Sequence, residues 1–481
     1  MADVVGERVH PREPRQIVAR LERIDVWSLS WVFIGIIGLG FLFTFYDIFD
    51  INVSFVQTCV QIKAGCTPAN AFNTLKVPVV LNLAGYVVGT LILSPIADRV
   101  GRRNMLLVTM VITGIGSLYN ALAPGYANFV VARIITGVGV GADLALVNTY
   151  INEVAPCRQR GRYTAVIFTM SALGAFIGIW LGLILTTPAT PWPTGLPFAI
   201  AGKGFPQGWR WMYGIGALLA LVAVVLRVEL PESPRWLIGQ GRLEEADRVV
   251  RAMEERASRR HPLAEPVDDP SLAVTPSSRA PYGEVLRNPF YLRRAVLLLV
   301  VWFVAYITVY GYSAGFTSVL TGLHYPVPEA GLIAAMGTLG FIAQGIVTAA
   351  VVEHLDRRYW LPIGAVLTVV GAVLVAEGGH QLVVSFIGAC LIFFGFNVWV
   401  SPTYALSAES FPTRARSTGF ALVDGVGHIG GGIGVLAIAS FVIGLPVIWA
   451  LLFMGSFLFV SSVLVQFAAR TRGRVLDEVS P

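Results

Sequence analysis

An all-α membrane protein, with twelve transmembrane helices in two pseudo-symmetric six-helix bundles, is the fold class this sequence predicts, and three observations predict it. The first is composition: of 481 residues, 55% are hydrophobic and 13% charged, and the mean hydropathy is +0.69, too apolar for a soluble chain of this size. The second is a succession of apolar segments about 20 residues long, the length that crosses a bilayer as a helix. The third is duplication. Glu-x-x-Pro-x-Arg-x-Arg occurs at 153–160 and again at 409–416, each time after an apolar stretch that holds a tyrosine, Tyr150 or Tyr404. A second motif recurs at nearly the same offset, Asp98-Arg99-Val100-Gly101-Arg102-Arg103 in one half and Asp356-Arg357-Arg358 in the other. Parallel repeats of this kind imply a transporter whose substrate site lies between its halves.

The spans are expected at 28–53, 77–97, 105–123, 127–152, 162–187 and 209–229, then at 294–321, 329–352, 359–377, 382–408, 417–443 and 445–468. Unpaired backbone groups are not tolerated in lipid, so continuous apolar segments of this length are helices; barrel strands would be shorter and would alternate in polarity. The chain therefore divides into an N-terminal segment (1–27), a first bundle (28–230), a linker (231–293), a second bundle (294–468) and a tail (469–481). Within the linker, 242–256 reads as an amphipathic helix and 262–281 as a loop rich in Pro and Ser.

Basic residues set the orientation. Arg8, Arg12, Arg15, Arg20 and Arg23 precede the first span; Arg99, Arg102 and Arg103 follow the second; Arg158, Arg160 and Arg162 follow the fourth. Arg357 and Arg358 follow the eighth, Arg414 and Arg416 the tenth, and Arg470, Arg472 and Arg474 the twelfth. By the positive-inside rule both termini and the linker are cytoplasmic, in the plasma membrane. The only lysines, Lys63, Lys76 and Lys203, fall in outward loops. The basic balance, pI near 9.2, thus reflects the inner leaflet and no nucleic-acid partner. A polar, arginine-rich leader running into a full-length span predicts no cleavable signal peptide; the first helix is the insertion signal. Cys59 and Cys66 share the first outward loop, where a disulfide and two free thiols are both open; Cys157 ends a helix and Cys390 lies inside a span.

These motifs resemble the major facilitator superfamily, over almost the whole chain. Asp98-Arg99-x-Gly101-Arg102-Arg103 resembles its loop between the second and third helices. Arg133-x-x-x-Gly137-x-Gly139-x-Gly141, Glu153-x-x-Pro156-x-x-x-Arg160-Gly161-Arg162 and Pro231-Glu232-Ser233-Pro234-Arg235-Trp236-Leu237 are similar to the sugar-porter branch. The resemblance implies alternating access, with the cytoplasmic arginines and acids latching the outward-facing state. It also implies proton coupling by the first-helix acid, Asp47, and the fourth-helix arginine, Arg133. The glutamines of sugar-binding members in the fifth and seventh helices are absent. Asp47 and Asp50 in the first span and Asp143 in the fourth look closer to proton symporters of metabolites and aromatic acids, and the eleventh-helix lysine of phosphate carriers is missing.

The residues support coupling independently. An ionisable group in the hydrocarbon zone costs on the order of 2.5–3.5 kcal/mol, which makes it a functional candidate. Asp47 and Arg133 fall at similar depth and can pair; loss or approach of the guanidinium would then load or release a proton. Asp50, three residues on, reads either as a cavity-mouth charge or as a solvated helix end. Asp143, about 15 Å further along its helix than Arg133, is expected to face the cavity as a substrate contact or second proton site. Asp424 and His428 share a helix face at i, i+4, where a carboxylate could set the imidazole tautomer. Asp50, Asn82, Tyr86, Tyr306, Tyr310, Gln344, Asn397, Trp399, Asp424 and His428 are the expected substrate-binding residues.

Gating is assigned to Asp98, Arg99, Arg102, Arg103, Glu153, Arg162, Glu232, Arg235, Asp356, Arg357, Glu409, Arg414 and Arg416, whose exchangeable salt bridges can bias two states a few kcal/mol apart. Gly425-Val-Gly427-His-Ile-Gly430 lies within a membrane helix with no preceding strand, so helix packing explains it better than dinucleotide binding. Gly174, Gly178 and Gly182 let the fifth span approach a neighbour closely. No metal-ligand spacing, Walker motif or catalytic triad is present, so neither an enzyme nor a cofactor is expected. The expected function is proton-coupled transport of a small organic metabolite, sugar-like or an organic or aromatic acid, by a monomer. The competing readings are a proton-antiporting exporter of cationic compounds and a transporter-like sensor that binds without translocating.

Overall fold

The computed structural model describes residues 13–67, 71–156, 159–192, 195–266, 281–322, 327–378, 381–441 and 445–481. Arg8, Arg12, Cys157, Arg158 and most of the 262–281 loop, on which expectations fell, lie outside them. The first half comprises α2 (Trp31–Ile62), α3 (Ala71–Val100), α4 (Arg102–Leu122), α5 (Tyr126–Val154), α6 (Arg160–Thr186) and α7 (Gly208–Arg227). The second comprises α11 (Pro289–Gly322), α12 (Val327–Val351), α13 (Trp360–Gly378), α14 (Leu382–Val398) continued by α15 (Val400–Glu409), α16 (Arg416–Phe420) continued by α17 (Val426–Phe441), and α18 (Val447–Leu464). Short helices α1 (Pro14–Glu22), α8 (Pro234–Gly239), α9 (Leu243–Ser258), α10 (Pro281–Arg287) and α19 (Leu476–Val479) gather at the arginine-rich end.

Eleven of the described helices are long and apolar enough to cross a membrane. The remaining expected span, the eleventh at 417–443, is interrupted by a π-helical turn, Ala421–Gly425, between α16 and α17. Exposed side chains such as Leu118, Leu218, Val225, Val366 and Ile387 form the apolar belt a bilayer requires.

Duplication reappears as packing. In the first half α2 packs on α6 and α7, α3 on α5, and α4 on α5 and α7; in the second α11 packs on α17 and α18, α12 on α14, and α13 on α14 and α18. Each contact has its counterpart six spans later. Across the halves α6 meets α12 and α17 meets α3, again a symmetric pair. The crossings are close because glycines permit it. Gly85 and Gly89 of α3 abut the main-chain carbonyls of Ile134 and Val138, while Gly137 and Gly141 of α5 abut those of Asn82 and Tyr86; a Cβ at any of them would overlap backbone. Gly174 of α6 lies similarly against Leu42, and Gly430 of α17 against Phe303, so the Gly-x-Gly-x-x-Gly run is a packing surface.

Helix α2 outruns its expected end at 53. Ser54 and Thr58 donate to the carbonyls of Asp50 and Ser54 at 2.7 and 2.9 Å, so polar residues continue the helix without exposing backbone. Cys59, in its last turn, and Cys66, just beyond it, form a disulfide that marks the end of the molecule opposite the arginines. Cys390 is free and half-buried. The α3–α4 turn rests on Gly101, whose φ of 111° suits glycine. Ser233 caps α8 through the Trp236 amide, with Pro234 at the first helical position.

Candidate functional site

Arg133 lies two turns into α5, buried against α2. Its Nη1 is 3.5 Å from Asp47 Oδ2 and 3.4 Å from Asp50 Oδ1. Asp47 and Asp50, one turn apart, present both carboxylates to the same guanidinium. Its Nη1 and Nη2 also donate to the Asp47 main-chain carbonyl, each at 3.1 Å, and Ser117 Oγ donates to Asp47 Oδ1 at 2.6 Å. Asp50 is therefore neither at a mouth nor solvated: it is fully buried, because α2 continues for three more turns beyond it. Two carboxylates around one guanidinium leave a charge of minus one if both ionise, and an uncompensated charge at such a place is costly. Asn82 supports the cluster from α3, donating to the Arg133 carbonyl at 2.7 Å and to Thr136 Oγ1 at 3.1 Å. A small cavity bordered by Asn82, Tyr86, Arg133, Tyr310 and Ser313 adjoins it.

Asp143 has a partner that the sequence reading did not assign. Arg227, the last residue of α7, donates to both carboxylate oxygens, Nη2 to Oδ2 at 3.0 Å, and also to the Leu106 carbonyl at 2.8 Å. Thr109 and Thr44 donate to the same carboxylate at 2.9 and 3.4 Å. Asp143 thus faces α2, α4 and α7 of its own half, not a cavity between the halves, and its charge is cancelled. Arg133 is not the one deep arginine. Gly40 makes the room: a Cβ there would collide with the Arg227 guanidinium.

A third cluster lies on the seam. The π turn carries Asp424, whose Oδ2 accepts from Tyr86 of α3 at 2.9 Å and whose Oδ1 accepts from Tyr306 of α11 at 2.5 Å. Tyr404 of α15 is 3.3 Å from the Tyr306 hydroxyl. His428 stacks on Tyr86, ring centroids 3.8 Å apart, and touches the rings of Tyr306 and Tyr310. The carboxylate does not set its tautomer: Nδ1 is 4.0 Å from Asp424 Oδ1 but 2.8 Å from the Asp424 main-chain carbonyl, which can only accept, so Nδ1 carries the hydrogen.

Two of the expected pocket residues bond or pack within their own half. Asn397 bonds back to the Phe393 carbonyl at 2.9 Å within α14. Trp399 packs on Trp302, centroids 5.2 Å apart, inside the second half. Gln344 is fully buried on α12, its Oε1 3.5 Å from Thr348. A cavity of about 280 Å³ lies between the halves toward the disulfide end, lined by Val53, Leu183, Tyr312, Phe316, Leu332 and Phe393 among others.

At the arginine-rich end the halves are sealed by a symmetric arrangement. Glu153 pairs with Arg102 of its own half at 3.0 Å and with Arg416 of the other at 3.3 Å. Its repeat counterpart Glu409 pairs with Arg357 of its own half at 3.8 Å and lies within the field of Arg160 from the other. Asp98, besides meeting Arg102 at 3.1 Å, accepts from the Thr418 amide and hydroxyl at 3.1 and 2.7 Å, capping the start of α16 across the seam. Arg102 donates to the Thr413 carbonyl at 3.1 Å, and Glu353, held by Arg357 at 2.9 Å, accepts from the Arg162 amide at 3.0 Å.

The other gating candidates act within these frames. Glu232 accepts from the amides of Arg102 and Arg103 at the start of α4. Burial pushes its carboxyl above the usual range, against those hydrogen bonds. The Arg103 guanidinium reaches the Val228 carbonyl, Arg235 pairs with Glu22, Asp356 accepts from Arg358 at 2.9 Å, and Arg414 pairs with Glu284 at 2.7 Å. Arg99 is exposed near the end of α3.

The profile of the family described as "Sugar (and other) transporter" matches residues 31–481. The chain belongs to this family. Among family relatives, the niacin transporter NiaP of Acinetobacter baylyi is 25% identical over 96% of this chain and 99% of its own. The D-xylose transporter of Levilactobacillus brevis is 29% identical over 70% of this chain and 71% of its own. The proton:xylose symporter XylE, solved with 6-bromo-6-deoxy-D-glucose, superposes with a TM-score of 0.75 at 19% identity, covering 94% of this chain and 99% of XylE. The fold is that of the major facilitator superfamily, and the protein is a multi-pass membrane transporter, not an enzyme.

In this sugar (and other) transporter family member, sequence reasoning overlooked Arg227, Glu22, Glu353 and Thr418. Arg227 closes an apolar span and reads as one more interfacial arginine; only Gly40, a gap opposite it, hints otherwise. Glu22 and Glu353 lie among polar residues at span boundaries, where no spacing distinguishes a latch from a solvated charge.

Proposed function

We propose that the protein moves a small organic metabolite together with protons, by alternating access of its two halves about the seam. The single observation that carries this reading is that Asp47 and Asp50 share Arg133 in a buried site. One proton balances that site: one acid is then neutral while the other pairs with the guanidinium. A site whose neutrality depends on a proton is a site that can couple proton movement to a change of shape.

Arginine placement supports an orientation with the arginine-rich end and both termini in the cytoplasm, in the plasma membrane. On that orientation the Glu153 and Glu409 seal closes the cytoplasmic side. The halves, 28–230 and 294–468, rock as units within a monomer. The tyrosines at the seam and the relatives' names, niacin, xylose and glucose transporters, support an organic or aromatic acid or a sugar-like metabolite; the tyrosine-rich walls favour a flat acid.

The test is uptake into vesicles reconstituted with the purified protein, acidic outside, with labelled nicotinate, benzoate and xylose as probes. The expected result is accumulation of at least one probe that collapses with a protonophore. Gradient-driven extrusion of a cationic dye with no uptake of the acids or sugar would favour an exporter instead.

A further inference from the structure

Every other buried acid of the membrane helices has a guanidinium beside it: Asp47 and Asp50 have Arg133, Asp98 has Arg102, Asp143 has Arg227, Glu153 has Arg102 and Arg416, and Glu409 has Arg357. Asp424 does not. It is fully buried, and among the described residues no arginine or lysine stands within ion-pair distance of it. The titratable groups facing it are Tyr86 from α3, Tyr306 and Tyr310 from α11, Tyr404 from α15 and His428 from α17. None is a fixed cation. Its position is also singular, because it sits on a π-helical turn, an element frequent at functional sites. One of its hydrogen bonds crosses between the halves, from Tyr86.

We infer that Asp424 is a second protonation site, which ties the two halves together as an anion and lets them part as a neutral acid. As a carboxylate it accepts two charge-assisted hydrogen bonds, one from each half, and these are about twice as strong as neutral ones. Taking up one proton from water removes that charge, weakens the bond from Tyr86, and leaves the acid O–H to donate to the Tyr306 hydroxyl, whose own hydrogen can turn toward Tyr404, 3.3 Å away. Proton occupancy and seam opening are then linked, each favouring the other. The inference goes beyond the Asp47 reading and stands or falls separately from it.

The test needs no substrate. Infrared difference spectra of the purified protein in lipid nanodiscs, titrated between acid and alkaline pH, report the C=O stretch of protonated carboxyl groups. A component should disappear in Asp424→Asn and persist in Asp47→Asn. In Tyr86→Phe, which removes only a hydroxyl, the midpoint of that component should move by about one pH unit or more while the remaining bands stay put. A spectrum unchanged by Asp424→Asn overturns the inference, as does an unmoved midpoint in Tyr86→Phe should the asparagine variant fail to fold. Loss of the Asp47 component alone would bear on the earlier reading and leave this one standing.

Discussion

Glu153 and Arg416 are 263 residues apart in sequence and 3.3 Å apart in space. One belongs to each copy of the repeated motif, so the duplication that revealed the two halves also supplies the contact that seals them. Because Glu153 is shared between Arg102 and Arg416, its loss would take one carboxylate partner from each of two buried guanidinium groups and break the ion pair that crosses the seam. Glu153→Gln should therefore shift the protein toward opening at the arginine-rich end by about 1–3 kcal/mol. Maleimide labelling of Ser417→Cys, a buried position beside the seal, should accelerate roughly tenfold or more in that background.

Asp143 and Arg227 form a closed pair, and we propose that its role is structural. Asp143→Asn should cost about 3–5 kcal/mol by leaving a buried guanidinium unpaired, seen as a lower melting temperature in detergent. Replacing both, Asp143→Leu with Arg227→Met, should recover most of that loss. If Asp143→Asn leaves stability intact and instead abolishes pH-driven uptake, the pair is part of the coupling machinery after all.

Helix α1 docks on α9 of the linker through Arg20 and Arg23, which meet Glu254, with Arg20 also 2.6 Å from Asp247. Burial alone would raise the Glu254 carboxyl, but the hydrogen bonds from Arg20 and Arg23 outweigh it and hold it below the usual range. A depressed acid contributes stability above its unfolded value, and that contribution is lost as pH falls through the folded one. The protection of α1 amides, measured relative to their intrinsic exchange rates at each pH, should therefore be high at neutral pH and fall once the solution is acid enough to protonate Glu254. Glu254→Gln should make that protection low at both.

The glycines of the α3–α5 crossing make a sharper demand. Gly89→Val would drive a side chain into the Val138 carbonyl, and the expected outcome is a protein that fails to elute as a single species. Gly214, which has open space around it, should accept alanine without that defect.

Much of this architecture was legible in the sequence because membrane helices announce themselves through length and apolarity, and because the repeats carry their registration in the motifs at 153–160 and 409–416. The approach of Asp47 to Arg133 was legible as well, since depth along a helix follows from residue count. What remained hidden were relations across helices with no spacing between them to read. Arg227 meets Asp143 only because α7 packs on α4 and Gly40 clears its path. The π turn at Ala421–Gly425 has no residue signature, yet it decides that the carboxylate of Asp424 reaches tyrosines instead of His428. Asn397 and Trp399 looked like pocket residues because they are polar or amphipathic inside a span, but one bonds its own helix and the other fills the core of its half.

The central claim is that the acid pair at Arg133 takes up the proton that drives transport, and the most direct measurement compares Asp47→Asn with the parent protein in two assays on the same vesicles. Accumulation of the transported probe under an acid-outside gradient should be lost in Asp47→Asn, while exchange of labelled for unlabelled probe at equal pH should continue. Undiminished gradient-driven accumulation in Asp47→Asn would contradict the account.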